Sequence, residues 1–277
     1  MRLYSIDTGF FKLDGGAMFG VVPKSIWQKL SPPDERNLCT WATRLLLIED
    51  EDRLILIDTG LGDKQDDKFF SHYHLHGEDT IDSSLAKYGF RREDITDVIL
   101  THLHFDHCGG AITRDGEKLI PAFKNATYWS NEKHWLWATD PNPREKASFL
   151  KENILPIQQS GQLNFIKEGD PFSPAINIRY AFGHTEAMIL PQIQYKGHTI
   201  LYMADLLPSV AHIPLPYVMS YDVRPLVTMQ ERVDYWTEIA DNKYILFLEH
   251  DPVHTCCTLK HTEKGVRLDQ TFQLEDI

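Results

Sequence analysis

The residues best suited to chemistry in this 277-residue chain stand together near its middle, as Thr101-His102-Leu103-His104-Phe105-Asp106-His107. Four metal-ligand side chains fall within six positions, directly after the apolar run 97–101 (DVILT). His102 and His104 are two apart, so an extended backbone aims both rings to one side. Asp106 and His107 follow where the chain must turn, and Gly109-Gly110 supply permissive backbone. Two imidazoles can hold one cation; a carboxylate and a third imidazole can begin a second site beside it. Such donors suit zinc, and also manganese, iron or cobalt. A lone His-x-His is common by chance, whereas HxHxDH between a buried strand and Gly-Gly is far more specific. Three later side chains fit as distant ligands: His184 after the run 176–182, Asp205 after the run 198–204, and His250 after the run 244–249. Each stands at the carboxyl end of a strand-like run, where chemistry collects in open α/β sheets.

The elements that must position them alternate. Runs 43–49 (TRLLLIE) and 53–58 (RLILID) are β-prone and separated by Asp50-Glu51-Asp52, which predicts a hairpin. The spacing predicts helices over 79–88, 131–139, 143–152 and 229–240, with Gly89 as a stop. Residues 176–182, 189–195, 198–204 and 244–249 read as strands. Strands and helices in this order indicate an α/β layered fold. No long linker or repeat divides the chain, so one domain over 1–277 is expected, with 1–40 as a rim segment over the site or an ordinary packed strand and loop.

Hydrophobic residues at 42% and charged residues at 25% exclude disordered, collagen-like and coiled-coil classes. Acidic side chains outnumber basic ones 40 to 28, for a net charge of −12, which disfavours nucleic acid as a partner. No apolar run approaches the roughly 20 residues of a membrane span, and Met1 to Asp7 contain no apolar signal-like stretch. The cysteines Cys39, Cys108, Cys256 and Cys257 form no CxxC pair, so a cytoplasmic location is expected.

With Asp58-Thr59-Gly60, THLHFDH, the GHT at His184, the AD at Asp205 and the EHD at His250, the chain resembles the metallo-β-lactamase superfamily of metallohydrolases. The resemblance spans residues 58–250. It implies a four-layer αββα sandwich and two divalent metal ions. By resemblance, His102, His104 and His184 would hold the first ion, Asp106, His107 and His250 the second, and Asp205 would bridge them. Asp58 would support the ligand loop, with Thr185 a second candidate to orient the imidazoles. Two such ions about 3.5–4 Å apart share a water and make it hydroxide near neutral pH, which attacks a carbonyl or phosphoryl centre. Asp106 is then placed to exchange a proton with the leaving group.

The THLHFDHCGG form, the rim and the loop 205–216 resemble the acyl-homoserine-lactone lactonase and methyl parathion hydrolase branch, which implies a lactone or ester as a small-molecule substrate. Lactonases of that branch carry a tyrosine three residues after the bridging Asp, where this chain has Pro208; Tyr217 or Tyr221 are the available phenols. Phe19, His212, Tyr217 and Tyr221 are the candidate substrate contacts. Alternatives are a thioesterase of glyoxalase II type, a phosphoester or organophosphate hydrolase and, from a different class, an iron-dependent dioxygenase. The glyoxalase reading lacks a basic C-terminal segment, since residues 251–277 hold only Lys260, Lys264 and Arg267. A homodimer stays open. His72, His74 and His76 form an HxHxH that reads as a mobile or lid loop rather than a second metal site or a histidine wall beside the substrate, and Trp129, Trp135 and Trp137 read as core or interface.

Overall fold

Unbroken runs of leucine and isoleucine persist as strands only where both faces are covered. Residues 43–48 and 54–57 are buried without interruption. The computed structural model describes residues 1–277, and the chain divides into two compact units: residues 1–9, 43–72 and 76–170, and residues 10–42, 73–75 and 171–277.

The first unit contains β1 (Arg2–Asp14), β2 (Leu38–Asp50), β3 (Arg53–Ile57), β4 (Asp97–Ile99), β5 (Ile112–Asp115), β6 (Lys118–Pro121), β7 (Thr127–Ser130) and β8 (Leu163–Phe165); the outer residues of β1 and β2 belong to the second unit. Its six-stranded sheet runs β1-β2-β3-β4-β7-β8. The expected hairpin forms, with β2 antiparallel to β3 from Leu46 opposite Ile57 to Asp50 opposite Arg53. β4, β7 and β8 then add in parallel. Leu45, Leu47, Leu54, Leu56, Val98 and Leu100 pack with Ile81 and Leu85 of one helix and Ile154 and Ile157 of another. Each such side chain contributes about 1.5–3 kcal/mol on burial.

The expected helix at 79–88 is Ile81–Lys87, started by a Thr80 capping box, with Gly89 beyond it at φ 82°. Asn131 caps Glu132–Thr139. The expectation of a helix over 143–152 is corrected. Residues 143–148 form turns, nucleated by the Asn142 side chain accepting from the N–H groups of Arg144 and Glu145. The helix is Lys151–Gln159, and it passes through Pro156, a residue that reads as a breaker.

The second unit holds β9 (Ile176–Ala181), β10 (Met188–Tyr195), β11 (His198–Tyr202), β12 (Ile245–Phe247), β13 (Cys256–Thr262) and β14 (Gly265–Phe272). Their order is β14-β13-β12-β11-β10-β9. The expected strands lie within two residues of their predicted ends. The hairpin β13–β14 extends the sheet beyond them. Only β11 and β12 pair in parallel, and the helix Pro225–Asn242 is their crossover. That helix starts on a proline, ends at Lys243 with φ 54°, and buries Thr228, Arg232, Tyr235, Trp236 and Ile239 along one stripe. No helix is long and apolar enough to cross a membrane.

Candidate metal centre

In the first unit the chain leaves β4, bends at Thr101 and again at His104, then turns into the short helix Phe105–Cys108. This places the four predicted ligands together. His102 Nε2 and His104 Nδ1 are 3.1 Å apart. Two nitrogens on one tetrahedral ion with bonds of 2.0–2.1 Å sit about 3.4 Å apart, so the pair is spaced as ligands of a single cation. His107 and Asp106 follow, with His107 Nε2 3.9 Å from Asp106 Oδ2.

Asp58 is hydrogen-bonded to this loop at both ends. It follows β3 at φ 61° and is 0% exposed. Its Oδ1 accepts from the Thr101 N–H at 2.7 Å, and its Oδ2 accepts from the Thr101 hydroxyl at 2.7 Å and from His107 Nδ1 at 3.2 Å. The Thr101 hydroxyl gives its proton to Asp58, so its contact with His102 Nδ1 at 3.1 Å takes a proton from the ring. Both His102 and His107 thereby keep a lone pair on Nε2. Thr59 donates to the His107 carbonyl from both its N–H and its hydroxyl. A side chain at Gly109 would collide with the carbonyl of Leu61, so the turn after the ligands requires glycine.

In the second unit, His184 follows β9, Asp205 lies in a turn after β11, and His250 follows β12. The structure brings these three together. Asp205 Oδ2 is 3.2 Å from His184 Nε2, and Asp205 Oδ1 is 3.1 Å from His250 Nε2. His184 donates from Nδ1 to Asp222 at 2.7 Å, and His250 donates from Nδ1 to the Ala42 carbonyl at 2.8 Å. Each Nε2 is then a lone pair facing a carboxylate oxygen. Acceptors arranged against acceptors have the chemistry of a cation's coordination shell. The buried His and Asp donors of the chain form clusters able to hold metal ions.

Several positioning groups lie outside the sequence reading. Glu145, 3% exposed, faces His104 Nε2 at 3.4 Å and is held by Trp137 Nε1 at 2.7 Å and Asn142 Nδ2 at 2.5 Å. Asp222 is the partner of His184, and the Ala42 carbonyl that of His250. His134 Nε2 accepts from the Leu103 N–H at 2.8 Å, fixing the backbone between His102 and His104. No local motif announces these groups. Thr185 is fully buried next to His184 in the chain.

The candidate substrate contacts divide. Phe19 is 0% exposed, stacked between Trp27 and His212 with centroids at 5.2 and 4.6 Å. His212 is also fully buried; its Nε2 donates to the Met18 carbonyl at 3.0 Å and its Nδ1 accepts from Ser209 at 2.9 Å. Burial, and then the Arg232 charge, lowers its pKa to about 3. Tyr217 is half-buried, edge-on to Phe19, and Tyr221 is 38% exposed. Cys108 donates to the Leu103 carbonyl, and burial pushes its thiol up to about 12, so it stays a thiol. His72 and His76 are exposed, and the HxHxH residues are absent from the donor clusters. Of the tryptophans, Trp135 is core and Trp129 donates to Asp97 at 2.8 Å.

Residues 42–255 match the family model of the metallo-beta-lactamase superfamily. The chain is similar to an N-acyl homoserine lactonase of Bacillus cereus, 30% identical over 196 residues, which is 66% of this chain and 66% of the lactonase. It thus spans just under two thirds of that relative's length. A probable metal-dependent hydrolase from Staphylococcus aureus superposes with a TM-score of 0.89 at 28% identity, covering 100% of this chain and 98% of the other. A dizinc quorum-quenching lactonase solved in complex with a product superposes with a TM-score of 0.80 at 22% identity, covering 98% and 95%. At that identity the last likeness speaks for the fold.

Proposed function

Because the chain belongs to the metallo-β-lactamase superfamily and has its mixed α/β fold, we propose that it is a metal-dependent hydrolase of the lactonase-related branch that opens a lactone or ester. One observation carries the reading. In each of His102, His104, His107, His184 and His250, one ring nitrogen is held by an oxygen of Thr101, Glu145, Asp58, Asp222 or Ala42, which leaves the other to coordinate. Metal-ligating imidazoles are oriented in this way. His102, His104, Asp106 and His107 of the first unit and His184, Asp205 and His250 of the second would supply the metal ligands. All are imidazole or carboxylate, so zinc suits them, with manganese, iron or cobalt as substitutes.

When bound, such ions supply Lewis acidity and a water of lowered pKa. The protein's own groups do the rest. Asp205 would offset the repulsion between the cations with one carboxylate. Asp106 would exchange the proton of the departing oxygen. Tyr217 and Tyr221 retain surface to meet a small-molecule substrate, while Phe19 and His212 back the wall that Tyr217 presents.

Metal analysis of the purified protein, then assays with a lactone, a carboxylic ester, a thioester and a phosphotriester before and after chelation, tests the proposal. Lactone or ester hydrolysis that chelation abolishes and zinc restores is expected. Turnover of the thioester or phosphotriester alone would replace the substrate class. Fewer than one ion per chain with no hydrolysis would overturn the reading.

A further inference from the structure

The second unit contains a fully buried guanidinium. Arg232 lies 0% exposed on the inner stripe of helix Pro225–Asn242. Its Nε donates to the Leu206 carbonyl at 2.9 Å, and its Nη1 donates to the carbonyls of His212 at 3.0 Å and Tyr217 at 2.8 Å. These carbonyls are spread along the loop that leaves Asp205: immediately after it, at the middle, and at the end that carries Tyr217. Arg232 Nη2 is buried with no hydrogen-bond partner, and so is Oδ2 of Asp222, the carboxylate that holds His184. The charge of Arg232 interacts with both Asp222 and Asp205. Burial lowers its pKa to about 10, which still leaves it protonated at neutral pH.

A buried cation is expensive to desolvate, and an apolar side chain would fill this stripe as well as Tyr235, Trp236 and Ile239 do. A fork of fixed donors does something an apolar residue does not: it holds separated carbonyls in one arrangement. We propose that Arg232 is the positioning residue of the Asp205 carboxylate, fixing the loop from Leu206 to Tyr217 that leaves it. The inference rests on the reading of Asp205 as a metal ligand.

Trp236 provides the control. It sits on the same stripe and donates from Nε1 to the Ile213 carbonyl of the same loop at 2.8 Å, and it carries no charge. The full chain is prepared as Arg232→Lys, Arg232→Gln and Trp236→Phe, stripped of metal and titrated with zinc against a chromogenic chelator; circular dichroism checks folding. Zinc affinity should fall about 10-fold for Arg232→Lys and about 100-fold for Arg232→Gln, with kcat reduced and KM little changed. Trp236→Phe should lower the Tm and leave zinc affinity at the wild-type value. Should the glutamine variant fail to fold, the lysine variant, which keeps the charge, carries the test. Wild-type zinc affinity in the folded arginine variants would overturn the proposal. So would an equal loss in Trp236→Phe, which would make loop damage the cause. No zinc binding by the unaltered protein would sink the metal-centre reading itself and this inference with it.

Discussion

Replacing Asp58 with Asn exchanges one oxygen for one NH2 group and tests how the first unit sets its imidazoles. Asparagine tolerates the left-handed φ of 61° at this position, so the backbone should hold. The amide oxygen will stay on the Thr101 N–H, now bonded to Oδ1 at 2.7 Å, because the reversed amide sets two donors against each other at about 1–3 kcal/mol. The NH2 then replaces Oδ2, which faces the Thr101 hydroxyl at 2.7 Å and His107 Nδ1 at 3.2 Å. Thr101 can rotate and accept. Its proton then points at His102 Nδ1, and that ring is pushed to carry its hydrogen on Nε2. His107 meets the NH2 directly and is pushed the same way. Both nitrogens proposed to coordinate would carry protons in the metal-free protein. Loss of an imidazole's orienting partner typically weakens metal binding 10–100-fold, about 1.4–2.8 kcal/mol. Zinc competition should show a loss of that size for Asp58→Asn, with far-ultraviolet circular dichroism unchanged. Nitrogen-15 spectra of the metal-free imidazoles should show His107 moving from the Nδ1–H to the Nε2–H tautomer. Zinc affinity within twofold of wild type, or an unmoved tautomer, would refute the reasoning.

Two further outcomes are expected. Glu145→Gln should weaken zinc binding about 10–100-fold, since Glu145 is buried against His104 Nε2; the same chelator competition reads it, and unchanged affinity would remove Glu145 from the centre. For His212, burial foremost and the Arg232 charge lower the pKa from 6.5 to about 3. The unfolded chain takes up this proton near pH 6.5 and the folded chain only near 3, so its contribution to stability is full above pH 6.5. It is lost as the pH falls towards 3, at about 1.4 kcal/mol per pH unit. Urea unfolding of His212→Gln from pH 7 to pH 4 should show a dependence smaller by about one proton, and identical pH slopes would exclude the assignment.

What the sequence made legible was whatever is local. The 43–49 and 53–58 runs declare a hairpin by composition and turn. The spacing of His102, His104, Asp106 and His107 declares a ligand loop within six residues. What escaped is set by the tertiary fold. Glu145 reaches His104 across 41 positions and Asp222 reaches His184 across 38, and a lone carboxylate in a loop has no pattern to betray it. Glu145 was further obscured because 143–152 has helical spacing, whereas Asn142 bends the chain into turns there. Pro156 concealed a helix for the opposite reason, since a strong local breaker was overridden by the packing of Ile154 and Ile157 into the core. His212 reads from the sequence as a candidate substrate contact; two hydrogen bonds and an aromatic stack bury it fully.

The orientation of His250 differs in kind from that of the other imidazoles. Its partner is the main-chain oxygen of Ala42, and the Ala42 N–H donates back to the His250 carbonyl at 3.0 Å. A side-chain scan is blind to such a contact, since every residue type except proline preserves both halves of it. Mutational drift at position 42 is therefore limited by the volume available to its Cβ and not by the chemistry of its side chain. Within that volume, the residue that keeps His250 in place can change its name over evolutionary time without the orientation of the ring changing.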